Sequence, residues 1–213
     1  DDPRWLRRTV PGGDGDSRSA ICVPLQARER VVGVLTVVHP KVDHFEEDDM
    51  VLRLENLKNL EKRERILIHS LVKTVLESKQ VLLSKKGLGV SSHIPSDVLI
   101  EGDAFLLYQA LSNLIQNAID FSPAGSKIEL LGQLEGERFR FSVRDYGQGI
   151  PDYAKARVFE KFFSLQRPDT GKKSTGLGLN FVREVAMLHQ GEVTLENCLE
   201  GGVCATLTLP YSS

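Results

Sequence analysis

The hydrophobic positions of the chain change period several times. Val31 to Val38 reads VVGVLTVV, β-branched and nearly continuous, which predicts a buried strand. Ser19 to Leu25 is a shorter apolar stretch with Pro24 near its end, and Gln26 to Arg30 reads as a turn, so the two stretches predict a β-hairpin. Phe45-Glu46-Glu47-Asp48-Asp49 predicts a helix start, because acidic side chains suit the positive end of the helix dipole. From Met50 to about Arg65 the composition is helical and strongly charged, with Leu54, Leu57 and Leu60 on a narrow stripe. That pattern predicts a connecting helix rather than a core. A second helix is predicted from Ser70 to Lys85, with Leu71, Val72, Val75 and Leu76 on one face and Gly87-Leu88-Gly89 as its stop. Val90 to Ile94 and Val98 to Ile100 are short strand candidates.

The clearest helix follows Asp103, a good N-cap. Leu107, Ala110, Leu111, Leu114, Ile115 and Ala118 recur at the spacing of one buried face, and Ser122-Pro123-Ala124-Gly125 closes it. Lys127 to Leu134 and Arg138 to Arg144 alternate apolar and polar around Glu135-Gly136-Glu137, which predicts a second hairpin. Phe139, Phe141 and Val143 then share one face of its second strand. Residues 146–175 are rich in glycine and charge, without a long periodic run. A loop of that length inside a compact domain is usually functional or disordered. Leu177 to His189 predicts a last helix, with Leu179, Val182, Val185 and Ala186 inward, and Gly191 to Glu196 with Val203 to Leu209 a final strand pair.

Composition narrows the classes. Lys and Arg number 27 and Asp and Glu 29 in 213 residues, a net charge of −2. That balance argues against a nucleic-acid binder held by phosphate contacts. No apolar run approaches the ~20 residues of a membrane helix, so no membrane contact is expected within the chain. Cys22, Cys198 and Cys204 cannot all pair and none sits in a CxxC, so a reducing, cytoplasmic setting is the expectation. The chain begins at Asp1 rather than Met and is expected to be a piece of something longer.

Four features in the second half carry chemistry. Asn113 and Asn117 stand at i and i+4 on the strong helix, so both amides share one face. An amide oxygen is a hard, neutral ligand suited to Mg²⁺. Asp145-Tyr146-Gly147-Gln148-Gly149-Ile150 directly follows a strand, where a carboxylate can accept a hydrogen bond from an exocyclic amine and two glycines allow close approach. Gly176-Leu177-Gly178-Leu179 opens a helix, whose free N–H groups make an anion site suited to phosphate. The loop between them holds Phe159-Glu160-Lys161-Phe162-Phe163 and Lys172-Lys173, the makings of a mobile lid. Each feature alone has an ordinary structural reading: exposed asparagines, a turn after a strand, a glycine-rich helix start.

In this order and spacing the four resemble the N, G1, F and G2 boxes of sensor histidine kinases. These boxes mark the catalytic ATP-binding domain shared with gyrase, the heat-shock chaperone and mismatch-repair ATPases. The resemblance covers about residues 70–210. It implies an α+β fold, a two-layer sandwich with a mixed sheet covered by three helices on one face and ATP held under a lid. It also implies that Asn117 coordinates Mg²⁺, that Asp145 reads the adenine amine, and that Gly147 and Gly149 shape the adenine pocket. Gly176 and Gly178 would open onto the phosphates. Ile150, Lys161, Phe162, Lys172, Lys173, Thr175, Leu177 and Leu179 complete the implied ATP-binding set. Asn113 occupies the position where related ATPases carry a glutamate base. An amide takes no proton from water, which suits a kinase.

The sequence departs from that pattern at Asp120 and Ser164, where many members carry a cation; Lys161, Arg167, Lys172 and Lys173 are the candidates to replace them. None of His39, His44, His69, His93 and His189 has the setting of a phosphoacceptor. The chain alone is therefore expected to bind ATP without autophosphorylating. Residues 54–69 read as the tail of a dimerisation and phosphotransfer hairpin. Residues 1–53, with Ile21-Cys22-Val23-Pro24-Leu25 and Val31-Val32-Gly33-Val34-Leu35, resemble the last part of a GAF sensory domain. The catalytic domain is expected over 70–213. The resemblance further implies a response regulator as partner and a homodimeric parent. The alternative is a non-catalytic regulatory module that keeps a degenerate nucleotide fold.

Overall fold

The computed structural model describes the backbone of Ser19–Ala27 and Arg30–His39, and residues 63–211 apart from 170, 172, 173 and 175. The chain divides into two compact units, residues 1–59 and 60–213.

In the first unit β1 (Ser19–Ala27) and β2 (Arg30–His39) pair antiparallel, with Ile21 opposite Val37 and Val23 opposite Leu35. The predicted hairpin is present. Its first strand runs further than expected, because Gln26 and Ala27 stay paired past a register shift at Leu25. The predicted helix start at Phe45–Asp49 lies outside the described residues.

The connecting helix predicted over 54–69 is corrected where it is described. Glu64–Leu67 is a strand, β3, and helix α1 (Ile68–Lys86) begins only after it. β3 pairs antiparallel with β5 (Leu99–Gly102), which places Ile66 opposite Ile100, both buried. Charge composition pointed to a helix, but burying Ile66 against a strand more than thirty residues away decides the local conformation.

The second unit is built on a five-stranded sheet. Its strands are β4 (Gly89–His93), β6 (Lys127–Glu135), β7 (Arg138–Arg144), β8 (Glu192–Asn197) and β9 (Val203–Pro210). The order is β4-β6-β7-β9-β8, with β4–β6 parallel and the other pairs antiparallel. Gly136, at φ +60°, makes the corner between β6 and β7. Strand alternation puts Ile128, Leu130, Phe139, Phe141, Val143, Leu207 and Leu209 on the buried face. Helices α1, α2 (Ala104–Phe121) and α4 (Gly178–Leu188) pack with that face into one core, and a short helix α3 (Asp152–Lys155) precedes α4. α2 is its centre, with Leu107, Ala110, Leu111, Leu114, Ile115 and Ala118 all buried as the periodicity predicts. Each buried Leu or Ile there contributes roughly 1.5–3 kcal/mol. α1 ends on Gly87 at φ +65°, where the Leu88 N–H returns to the Leu83 carbonyl at 2.9 Å.

His189 joins two helices. Its Nε2 accepts the Asp103 N–H at 3.0 Å and its Nδ1–H donates to the Val185 carbonyl at 2.8 Å. Asp103 in turn caps α2, its Oδ1 accepting the Leu106 N–H at 2.9 Å. The ring fits because residue 102 is glycine; a Cβ there would lie 2.6 Å from His189 Cδ2. Burial pushes the His189 pKa below the usual imidazole range.

Candidate functional site

A cavity of about 790 Å³ opens between α2, the sheet edge and the loop before α4. That volume is ample for a cofactor-sized ligand. Val143, Ala205, Val203 and Leu195 give it an apolar wall from the sheet.

Asp145 stands where β7 leaves the sheet, and it is buried. Its Oδ1 accepts N–H bonds from Gly147 at 2.8 Å and Val203 at 3.2 Å. Its own N–H donates to the Val203 carbonyl at 2.9 Å. Oδ2 has no protein partner among the described residues and is left to the cavity that Asp145 lines. Burial raises the carboxyl pKa, against the pull of the Gly147 and Val203 N–H groups and of Arg144. A fixed carboxylate oxygen in an apolar pocket is an acceptor for an amine donor.

Glycines let the chain close around this group. A Cβ on Gly147 would lie 2.5 Å from the Phe121 carbonyl oxygen, so only glycine lets this turn touch the end of α2. Gly202, at φ +82°, lies so close that a Cβ would sit 2.0 Å from the Asp145 carbonyl oxygen. Gly149 has φ +81°, and Asn197 clamps the loop there. The Ile150 N–H donates to Asn197 Oδ1 at 2.7 Å, and Asn197 Nδ2 donates to the Ile150 carbonyl at 2.8 Å.

At the other end, Asn113 Nδ2 donates to the Gln109 carbonyl at 2.9 Å, which leaves Oδ1 facing the start of α4. A Cβ on Gly178 would lie 2.9 Å from that oxygen. Asn117, one turn on, lines the cavity with its amide free of hydrogen bonds among the described residues. Gly176, at φ +70°, is crossed by the Phe162–Phe163 backbone 2.5 Å from its Cβ position.

The expected residues therefore separate. Asn113, Asn117, Asp145, Gly149, Ile150, Gly176, Gly178 and Leu179 come together around the cavity. Gly147 shapes it from behind, and Leu177 is the N-cap of α4. Lys161 and Phe162 are not brought to it. Phe162 has φ +65° and is 68% exposed, its N–H held by the Gly176 carbonyl at 3.0 Å, which turns the side chain outward. Phe159 and Phe163 do pack down, with Leu165, against the small cluster of Ile150, Ala154 and Val158. Lys172, Lys173 and Thr175 lie outside the described residues.

The two departures have partners. Asp120 Oδ2 lies 2.7 Å from Arg167 Nη2, and the Ser164 hydroxyl accepts the Ser174 N–H at 3.0 Å. Sequence reasoning missed Asn197, Asn180 and Gly202. Buried Asn180 donates to the Phe159 carbonyl at 3.1 Å and ties α4 to the loop. Gly201-Gly202 between two predicted strands was a readable signal. Asn197 offered none, since its partner is 47 residues away.

Nucleotide and metal can be tested against these residues. The buried carboxylate, the apolar wall and the glycine-opened helix start fit an adenine nucleotide. Among the described residues no group of three or more His, Cys, Asp or Glu could hold a metal alone. A Mg²⁺ here fits only as the partner of phosphate oxygens and the Asn117 amide, which agrees with its habit of keeping waters and few protein ligands. Among the described residues no helix is long and apolar enough to cross a membrane.

Comparison with known proteins gives the same picture. The family described as histidine kinase-, DNA gyrase B-, and HSP90-like ATPase matches residues 102–213, and the GAF domain family matches residues 1–54. The chain is similar to the sensor protein CreC of Escherichia coli, with 45% identity over 76% of this chain and 34% of that protein. It is also similar to the adaptive-response sensory kinase SasA of Crocosphaera subtropica, with 35% identity over 68% of this chain and 38% of that protein. It thus spans little more than a third of these relatives. The catalytic domain of the histidine kinase ThkA superposes with a TM-score of 0.64 at 25% identity, over 71% of this chain and 99% of that one. Full-length ShkA in complex with AMPPNP gives 0.60 at 28% identity, over 71% and 32%. With a family match over more than half its length, the chain belongs to the histidine kinase-, DNA gyrase B- and HSP90-like ATPases and is the ATP-binding catalytic portion of a sensor histidine kinase.

Proposed function

We propose that this chain binds Mg²⁺–ATP in the α2–α4 cavity and presents the γ-phosphoryl to a histidine supplied elsewhere in the parent protein. Asp145 carries the reading. One of its oxygens is locked by two backbone N–H groups and the other is left for the adenine amine. Asn117 would hold Mg²⁺ through its amide oxygen, and the N–H groups at Gly176–Gly178 would meet the phosphates. The bound metal would neutralise phosphate charge. Asn113 cannot act as a base, so water in the cavity is not activated and the triphosphate is kept for transfer.

Phe159, Phe163 and Leu165 form the apolar footing of the lid, which supports closure over the nucleotide. His189 is buried and hydrogen-bonded between two helices, which supports a structural role for it, and His69 and His93 are exposed. The parent is proposed to be a homodimeric two-component kinase that passes phosphate to a response regulator. Residues 1–53 would be a partial GAF-like sensory segment, with cytoplasmic placement.

Calorimetric titration with Mg²⁺ and AMPPNP tests the reading, with EDTA as control. Metal-dependent binding between ~1 μM and 1 mM, the range common for enzyme substrates, is expected, and Asn117→Ala should remove the metal dependence. A folded chain that ignores millimolar AMPPNP would leave a regulatory module as the function.

A further inference from the structure

We infer that Arg167 is the cation that meets the triphosphate in this chain and that Asp120 is the residue that positions it; this rests on the nucleotide reading above. Asp120 lines the cavity one turn beyond Asn117 on α2. A bare carboxylate there would repel a triphosphate. Here both of its oxygens are committed. Oδ2 lies 2.7 Å from Arg167 Nη2, and Oδ1 accepts the Gln116 Nε2–H at 2.9 Å. Asp120 is 15% exposed and Arg167 33%, so the pair is sheltered but not closed to a ligand.

A guanidinium carries five N–H donors in a planar fork. One nitrogen is used on Asp120, and the rest suit a phosphate. Two cationic side chains line the cavity among the described residues, Arg157 and Arg167. Arg157 is engaged elsewhere: its Nε bonds Glu160 at 3.0 Å and its guanidinium stacks on Phe163 at 4.6 Å. Lys86, at the same corner, donates to the carbonyls of Ile119 and Asp120 at 2.7 and 3.0 Å and pairs with Asp169. Of the two arginines, Arg167 is the one held against α2 beside Asn117, through Asp120, with donors to spare. Its backbone carbonyl accepts the Gly171 N–H at 2.9 Å, which fixes the loop at this residue. The helix supplies the anion and the loop supplies the cation, and the anion aims the cation.

The two possible roles of Asp120 predict opposite signs. Removing the negative charge of Asp120 beside a triphosphate should strengthen binding if Asp120 only repels. If Asp120 positions Arg167, the same change weakens it. Calorimetry on the whole chain with Mg²⁺–AMPPNP, and competition with adenosine, separate the two. Arg167→Ala should weaken AMPPNP roughly 10-fold or more, the loss of a charge-assisted contact. Asp120→Asn should weaken it roughly 2- to 10-fold, the cost of re-ordering one freed long side chain. The double variant should bind no worse than Arg167→Ala alone, and Arg167→Lys should restore part of the loss. Adenosine, which carries no phosphate, should change less than twofold throughout. Tighter AMPPNP binding by Asp120→Asn overturns the inference, as does an equal loss for adenosine, which would make the pair a brace of the fold. Failure of the nucleotide reading itself would show differently, as no AMPPNP binding by the unsubstituted chain.

Discussion

Asp145→Asn is the sharpest probe of the site, because the two shapes are nearly identical and only the hydrogen-bonding sense of one atom changes. The asparagine Oδ1 can keep the N–H bonds from Gly147 and Val203, at 2.8 and 3.2 Å in the parent. Its Nδ2 then replaces the cavity-facing oxygen, so a donor meets the donating adenine amine. Loss of a hydrogen bond to a charged acceptor costs about 1.5–3 kcal/mol. At 1.4 kcal/mol per factor of ten, that is roughly 10- to 150-fold in affinity. Stability should move the other way. The folded-state pKa of Asp145 is raised by burial, so above that pKa the ionised group costs folding free energy, and the neutral amide removes the cost. The expected result at pH 7.5 is weak AMPPNP binding with an unchanged or higher melting temperature. A nucleotide with a carbonyl in place of the amine should regain affinity in the variant, because Nδ2–H can donate to it. AMPPNP affinity within twofold of the parent, or no shift in preference toward the carbonyl nucleotide, would refute the assignment of Asp145 to the base.

Asn197→Ala should loosen the Gly149–Ile150 loop by removing both amide bonds, weakening AMPPNP severalfold with little change in the apolar core; Asn197→Ser, which can keep one bond, should fall between in the same titration. Gly202→Ala places a Cβ 2.0 Å from the Asp145 carbonyl oxygen at φ +82°, and should destabilise the fold by more than about 2 kcal/mol in urea unfolding. His189 has a folded-state pKa below its unfolded value, so its contribution is whole above the ordinary imidazole range and declines as pH falls through that range toward the lower folded pKa. Unfolding at pH 7.5 and 5.5 should show this loss, and His189→Gln should flatten it; an identical slope in both proteins would assign the pH dependence to other groups.

The sequence determined what local period and residue type can determine. The buried stripe of α2, its Asp103 cap, the β6–β7 alternation and the hairpin at Ser19–His39 all depend on neighbours within a few residues, and all stand as the pattern predicts. The order of Asn113, Asn117, Asp145 and the two glycine pairs also sufficed to indicate a nucleotide fold. What it left undecided depends on partners distant in the chain. Glu64–Leu67 is a strand because β5 is there to pair with it, against its charged, helix-like composition. Phe162 points outward although its aromatic neighbours pack inward, because Gly176 fixes its backbone from fourteen residues away. Asp120 looked like a defect in a phosphate site until the fold placed Arg167 on it, and Asn197 looked like the unremarkable end of a strand until Ile150 lay beside it. A side chain's intrinsic chemistry is written in its own residue, but its charge balance, its hydrogen-bond partners and the direction it faces are set by whichever distant segments the core brings against it.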